Sequence, residues 1–314
     1  MRNVMAKEKT KNPADYIVPL NMNGLQGRML HLPAPPGKQR EILLLYGHHS
    51  SLERWWGIAQ VLNRYGTVTM PDLPGFGGMD SMYKIGKKPN VDNMADYLAS
   101  FVRMRYKRKR VTIVGMSFGF VVATRMLQRF PDLTKKVDML VSLVGFAHKD
   151  DFSLSPFKHW AFRYLPTLFT SAFMASFFRI VFLRPFILRF VYNYTGHAKF
   201  KGLTREQAKK MTAVEIWLWN NNDVRTWLYT TIQMFKLDNC QVKVNLPVWH
   251  VGVKHDHFFD NHVIEQHLRV TFSEFHGMNL DVDMAAHAPT VIADEKDAAP
   301  FVPAKLRRKL SRPS

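Results

Sequence analysis

The segment that most restricts this chain is Val111-Thr112-Ile113-Val114-Gly115-Met116-Ser117-Phe118-Gly119, an apolar run, then Gly-x-Ser-x-Gly, then a helix-like stretch from Phe118 to Phe130. A short apolar run without alternation reads as a strand buried on both faces, the habit of parallel sheets. A serine between such a strand and a helix must leave the sheet on a turn so tight that its own φ and ψ are strained. Glycines at minus two and plus two are then needed, because side chains there would strike neighbouring backbone. Two glycines around a serine occur by chance elsewhere; the strand before and the helix after are what make this pentapeptide chemical.

The surrounding chain repeats the alternation. Buried-strand runs stand at Glu41–Tyr46, Thr67–Met70 and Val137–Val144, separated by helix-like stretches Leu52–Tyr65, Val91–Tyr106 and Phe118–Phe130. Strand, helix, strand means parallel pairing through right-handed crossovers. Ahead of them, Tyr16–Leu32 alternates around Asn23-Gly24 and Gln26-Gly27 as a hairpin would, and Pro33–Gly37 closes it as a rigid loop. A further short strand, Pro247–Gly252, follows only after about ninety residues of different texture, too long for a structureless loop. The spacing predicts a core over 1–149 and 241–314 and an all-helical, aromatic cap over 150–240, broken at Pro166 and Pro185, with Thr204-Arg205-Glu206-Gln207 as a capping box. Its longest uncharged stretch, Tyr164–Phe178, falls short of the ~20 apolar residues of a bilayer span.

With Leu44-Leu45-Tyr46-Gly47-His48, Asp72-Leu73-Pro74-Gly75-Phe76-Gly77, the Ser117 elbow and Ala286-His287-Ala288-Pro289 in place, the chain resembles the α/β-hydrolase fold family in its cap-bearing form, over roughly residues 16–300. The resemblance implies a mostly parallel central sheet with helices on both faces and an inserted helical cap. It also implies a triad in the chain order serine, acid, histidine, and no cofactor or metal. Ser117 becomes the nucleophile and His287 the base. Asp256, past Gly252, becomes the orienting acid, at a spacing one residue longer than the commonest family pattern; Asp260, or Asp150 and Asp151 after the preceding strand, are the alternatives. The backbone N–H groups of Phe118 and His48 become the oxyanion donors, unless His48 and His49 are plain loop residues. Families usually carry histidine where Tyr46 stands, which leaves the backbone donor intact but not a side-chain contact from that place. Relatives that open epoxides or cleave carbon–halogen bonds place Asp at the elbow, so serine favours ester, thioester or amide acyl transfer, with carbon–carbon hydrolysis not excluded.

Charge and composition bound the partners. Lys and Arg number 44 against 25 Asp and Glu, a net charge of +19. Such a field serves solubility first, and an anionic membrane through the amphipathic cap second; no nucleic-acid-binding motif accompanies it. The basic run Lys305–Arg312 reads as a solvated tail. One cysteine, Cys240, excludes a disulfide framework and any thiolate zinc cluster, and the spacing of His255, Asp256, His257, Asp260 and His262 matches no standard metal pattern. The start, with Lys7, Lys9, Lys11 and Asp15, lacks the apolar run of a secretory signal, so a cytoplasmic protein, peripheral at the inner membrane face if the charge has a partner, is expected. The cap's Trp160, Phe173, Phe177 and Trp217 are candidate contacts for a small hydrophobic acyl substrate, although aromatics at helical spacing also simply pack a cap onto its core. The alternative function is a relative that has lost catalysis and binds a membrane or protein partner through this basic, aromatic cap.

Overall fold

Asn23 and Gly24, both at positive φ, turn the chain back on itself and pair β1 (Ile17–Met22) with β2 (Leu25–Leu32) as the expected antiparallel hairpin. The computed structural model describes residues 12–194, 204–254, 256, 258–281 and 295–312. From β2 the sheet continues through β3 (Arg40–Leu45), β4 (Gly66–Pro71), β5 (Val111–Met116), β6 (Val137–Leu143), β7 (Val244–Val253) and β8 (Phe272–Leu280), in the spatial order β1-β2-β4-β3-β5-β6-β7-β8. Every pairing from β4 to β8 is parallel. The buried runs of β3 and β5 lie side by side, with Leu45 opposite Gly115, so the loops leaving both strands open at the same carboxyl edge. In open α/β sheets that edge is where ligands bind.

The crossovers are α1 (Trp56–Asn63), α2 (Val91–Arg105) and α3 (Phe118–Arg129), close to the helices expected from periodicity. Asn90 caps α2, accepting the Asn93 amide, and Arg125 and Arg129 of α3 reach across to Asp92 and Asp96 of α2. Between β6 and β7 the described elements are helical: α4 (Pro156–Tyr164), α5 (Ala172–Phe182), α6 (Pro185–Tyr194), α7 (Arg205–Asn221) and α8 (Val224–Met234), with short 3-10 turns. They carry a small apolar core of their own, in which Ala175, Leu183, Leu188, Trp219 and Leu228 meet.

After β7 come α9 (Asn261–Thr271), β8 and two short helices, α10 (Glu295–Ala298) and α11 (Ala304–Leu310). The basic tail is docked rather than solvated. Leu306 and Leu310 are buried, and the Arg40 guanidinium donates to the carbonyls of Leu310 and Arg312, so the tail's charges are the outer face of an amphipathic helix.

Candidate active site

β5 ends on Met116, and the next residue sits at φ +46° and ψ −118°, outside the regions a serine normally occupies. That conformation costs about 1–3 kcal/mol and persists only where the surroundings fix it. Here the Ser117 amide donates to the Leu143 carbonyl at 3.1 Å, and its own carbonyl accepts from Phe120 and Val121 as α3 begins. The flanking glycines are sterically required. A Cβ at 115 would stand 2.6 Å from the Phe120 Cα, and one at 119 would stand 2.5 Å from the Tyr46 carbonyl oxygen. Strand, turn and helix thus aim the Ser117 hydroxyl outward, on a residue that is nonetheless only 9% exposed.

Above the hydroxyl lies a cavity of about 270 Å³ with a mainly apolar wall, including Phe146, Phe152, Phe162, Trp227 and Phe235. Among the described residues its polar members are few: His48, Ser50, Thr231 and, as the one fixed charge, Arg54. The Phe118 and Gly119 amides open α3, where no intrahelical carbonyl reaches them, and they face the end of β5 with the partial positive charge of the helix N-terminus. His48 lines the same cavity, its ring edge-on to Phe118 and its Nε2 2.8 Å from the Thr230 Oγ1. Because the Thr230 hydroxyl donates to the Thr226 carbonyl, His48 is the donor in that contact, which places its proton on Nε2.

The residue that replaces the usual histidine has its own task. The buried Tyr46 hydroxyl donates to Asp72 at 2.9 Å and accepts the Leu73 amide at 2.8 Å. Arg28 reaches Asp72 from β2, and the same guanidinium pairs with Glu53. Burial pushes the Asp72 carboxyl up to about 8, against the opposing pull of Arg28 and the Tyr46 hydroxyl. This network fixes the loop after β4 beside the loop after β3. A second network ties the cap to both loops. Glu215 of α7, fully buried, is 3.4 Å from Arg54 and 3.8 Å from His49, while Asn222 meets His49 and accepts the Gly77 amide.

Of the residues named from the sequence, Ser117, Phe118 and His48 come together at one edge of the sheet. His287 lies outside the described residues, as do His255 and His257. Asp256 follows β7 as expected, with its Oδ1 accepting the amides of Phe258 and Phe259, an arrangement that fixes the carboxylate. The alternative acids are otherwise engaged. Asp260 caps α9, Asp150 sits on the surface beside His148 and Lys149, and buried Asp151 binds the His267 Nδ1 at 2.5 Å. Trp160, Phe173, Phe177 and Trp217, the expected substrate contacts, are exposed and are not among the described residues that line the Ser117 cavity. Helical spacing told which aromatics share a face, not which of them reach the cavity; Phe162, Trp227 and Phe235 line it. Arg54 and Glu215 were not foreseen, although a lone glutamate inside Val214-Glu215-Ile216-Trp217-Leu218 is the mark of a charge that must find a buried partner. Cys240 is half-buried beside Thr271, and burial pushes its thiol up to about 11. Among the described residues, no group of three or more His, Cys, Asp or Glu side chains could hold a metal ion.

A family model described as alpha/beta hydrolase fold matches residues 41–267 of this chain. No curated protein sequence matches it. Among solved structures, the epoxide hydrolase CorEH aligns at 17% identity and a TM-score of 0.63, over 94% of this chain and 97% of that one. The enol-lactonase from Burkholderia xenovorans LB400 aligns at 14% and 0.63, over 91% and 99%. A membrane phospholipase A, described as a bacterial virulence factor, aligns at 14% and 0.65, over 95% and 87%. At such identities the likeness is one of fold.

Proposed function

Because this chain belongs to the α/β hydrolase family, we propose that it is a serine hydrolase cleaving a hydrophobic acyl ester through an acyl-enzyme. The observation that carries the reading is the strained Ser117 at a helix N-terminus, opening into an apolar cavity with few polar groups. The Ser117 oxygen attacks the acyl carbon while His287 takes its proton, with Asp256 holding the imidazole in the required tautomer. The carbonyl oxygen, now negative, is met by the Phe118 and His48 amides. Collapse breaks the acyl–oxygen bond, and the leaving alcohol recovers the proton from His287. Water then attacks the acyl-enzyme by the same route, releasing the acid and restoring the serine. A cavity of about 270 Å³ lies at the small end of ligand sites, which favours a short or medium acyl group over a large one. The neighbours described as an enol-lactonase and a phospholipase A agree in kind with an acyl substrate. Serine at the elbow speaks against the epoxide chemistry of the third.

Labelling with a fluorophosphonate probe tests the assignment. The full chain takes the label, Ser117→Ala does not, and His287→Ala takes it far more slowly. Nitrophenyl esters of graded length are hydrolysed with an optimum at short to medium chains, and Ser117→Ala lowers kcat by about 10⁴- to 10⁶-fold. A folded wild-type chain that neither labels nor turns over any of the esters overturns the reading and leaves a catalytically inactive binding protein.

A further inference from the structure

Cap helices that merely cover a site turn one apolar face inward and a polar face to water. Here both faces are apolar. Under α5, Ala175 and Phe178 pack into the cap's small core, yet Phe173, Phe177, Ile180 and Val181 face outward at i, i+4, i+7 and i+8. On α4 the outward row is Phe157, Trp160 and Tyr164, with successive rings in contact, and on α6 Phe186 stands in solvent. Phe173 is 78% exposed, Phe157 73% and Phe186 69%. Soluble surfaces rarely carry this many large exposed rings on three successive helices without a partner.

Charge says what the partner is. From residue 152 to residue 205 the chain has no Asp or Glu, while Lys158, Arg179, Arg184 and Arg189 are exposed along the same helices as the rings. On the core, several cations are met by acids: Arg103 by Asp132, Lys109 by Glu41, Arg125 by Asp92 and Arg129 by Asp96. Aromatics together with cations that have no carboxylate partner among the described residues fit an anionic lipid surface, where rings enter the headgroup boundary and Lys and Arg meet phosphates. Among the described residues no single helix is long and apolar enough to cross a bilayer, and the apolar pair 156–169 and 172–182 is bent by 112°. Such a bent pair suits lying in the interface. A groove of about 420 Å³ along α4, walled by Trp160, Arg163 and Tyr164, shares Phe152 and Leu154 with the Ser117 cavity, so the outward face and the site adjoin.

We propose that the outward faces of α4, α5 and α6 dock this protein on an anionic bilayer; the docking stands independently of the chemistry at Ser117. Sedimentation with phosphatidylcholine vesicles containing about one-third phosphatidylglycerol tests it at low and high salt. The full chain binds at low salt, and binding weakens as salt rises and on phosphatidylcholine alone. The double variant Phe173→Glu/Phe186→Glu weakens binding by at least about tenfold, and Arg184→Gln by about fivefold. Arg108→Glu, on the core, leaves binding unchanged. Unaltered circular dichroism shows that the variants fold. Absence of binding at low salt, equal binding to phosphatidylcholine alone, or full binding by the double variant overturns the proposal. So does a wild-type dimer that the double variant dissociates while vesicle binding is absent, since the face would then be covered by a second copy.

Discussion

Phe118, Phe120 and Phe146 at the sheet are fully buried, whereas Phe157, Phe173 and Phe186 in the cap stand mostly in solvent, although both groups sit in apolar stretches of ordinary helical or strand pattern. The two regions differ in what their neighbours supply. At the sheet, eight strands and their crossovers enclose these rings, and the glycines at 115 and 119 let helix and strand approach so closely that a misplaced methylene would be felt. In the cap, α5, α6, α7 and α8 share a small core, and large rings of α4, α5 and α6 stay outside it in solvent. Aromatic content alone therefore says little about stability. Rings at the sheet hold the elbow; rings on the cap's outer face stand in solvent and contribute little to the fold itself.

The sharpest way to break that contrast is Phe120→Ala. The Phe120 ring is fully buried, meets Phe272 of β8 and lies where α3 leaves the elbow. Its truncation should cost about 3–5 kcal/mol, read as a shift in the urea midpoint. Turnover by Ser117 should fall with it, because the strained φ of that residue depends on the packing beneath it. A loss under about 1 kcal/mol would mean that the sheet layer is no more tightly enclosed than the cap.

A buried imidazole offers the next test. His250 of β7 lies between the strands with Nδ1 2.9 Å from the Ser142 Oγ, and burial lowers its pKa to about 4. The folded chain thus keeps His250 neutral, while the unfolded chain takes up a proton below its ordinary value near 6.5. Stability from this group is fully present above about pH 6.5 and is lost as pH falls toward 4, by an amount on the order of 3 kcal/mol. Urea midpoints at about pH 7.5 and pH 4.5 should fall more steeply for the wild type than for His250→Gln. Parallel slopes would show that the imidazole is solvated and that the sheet interior is less closed than its rings imply.

Much of this contrast could be read in the sequence, and the unreadable parts have physical causes. Asn-Gly at a hairpin, unalternating runs for β3, β5 and β6, and the glycine-bracketed serine each depend on local sterics, and each stands where expected. β8 went unread: Phe272-Ser273-Glu274-Phe275-His276-Gly277 looks polar because an edge strand is half in solvent, and only its pairing with β7 makes it a strand. The aromatic wall of the cavity went unread, since helical spacing groups aromatics without orienting them, and Trp227 gains its place only when α8 folds back over the elbow. Arg54 and Glu215 are legible only as a pair, 161 residues apart in sequence.

The smallest expected effect sharpens the comparison most. Phe173→Ser removes as many ring carbons as the same change would at position 120, yet Phe173 is 78% exposed and the ring gives up almost no contact on folding. Transfer of apolar surface from water is the driving term, and a ring that never leaves water contributes little of it. Phe173→Ser should therefore shift stability by no more than about 0.5 kcal/mol in either direction, with unchanged turnover of a soluble nitrophenyl ester. A destabilisation near that of Phe120→Ala would show that the outer rings pack within the chain. The cap would then be an extension of the core, and no lipid surface would be needed to explain its composition.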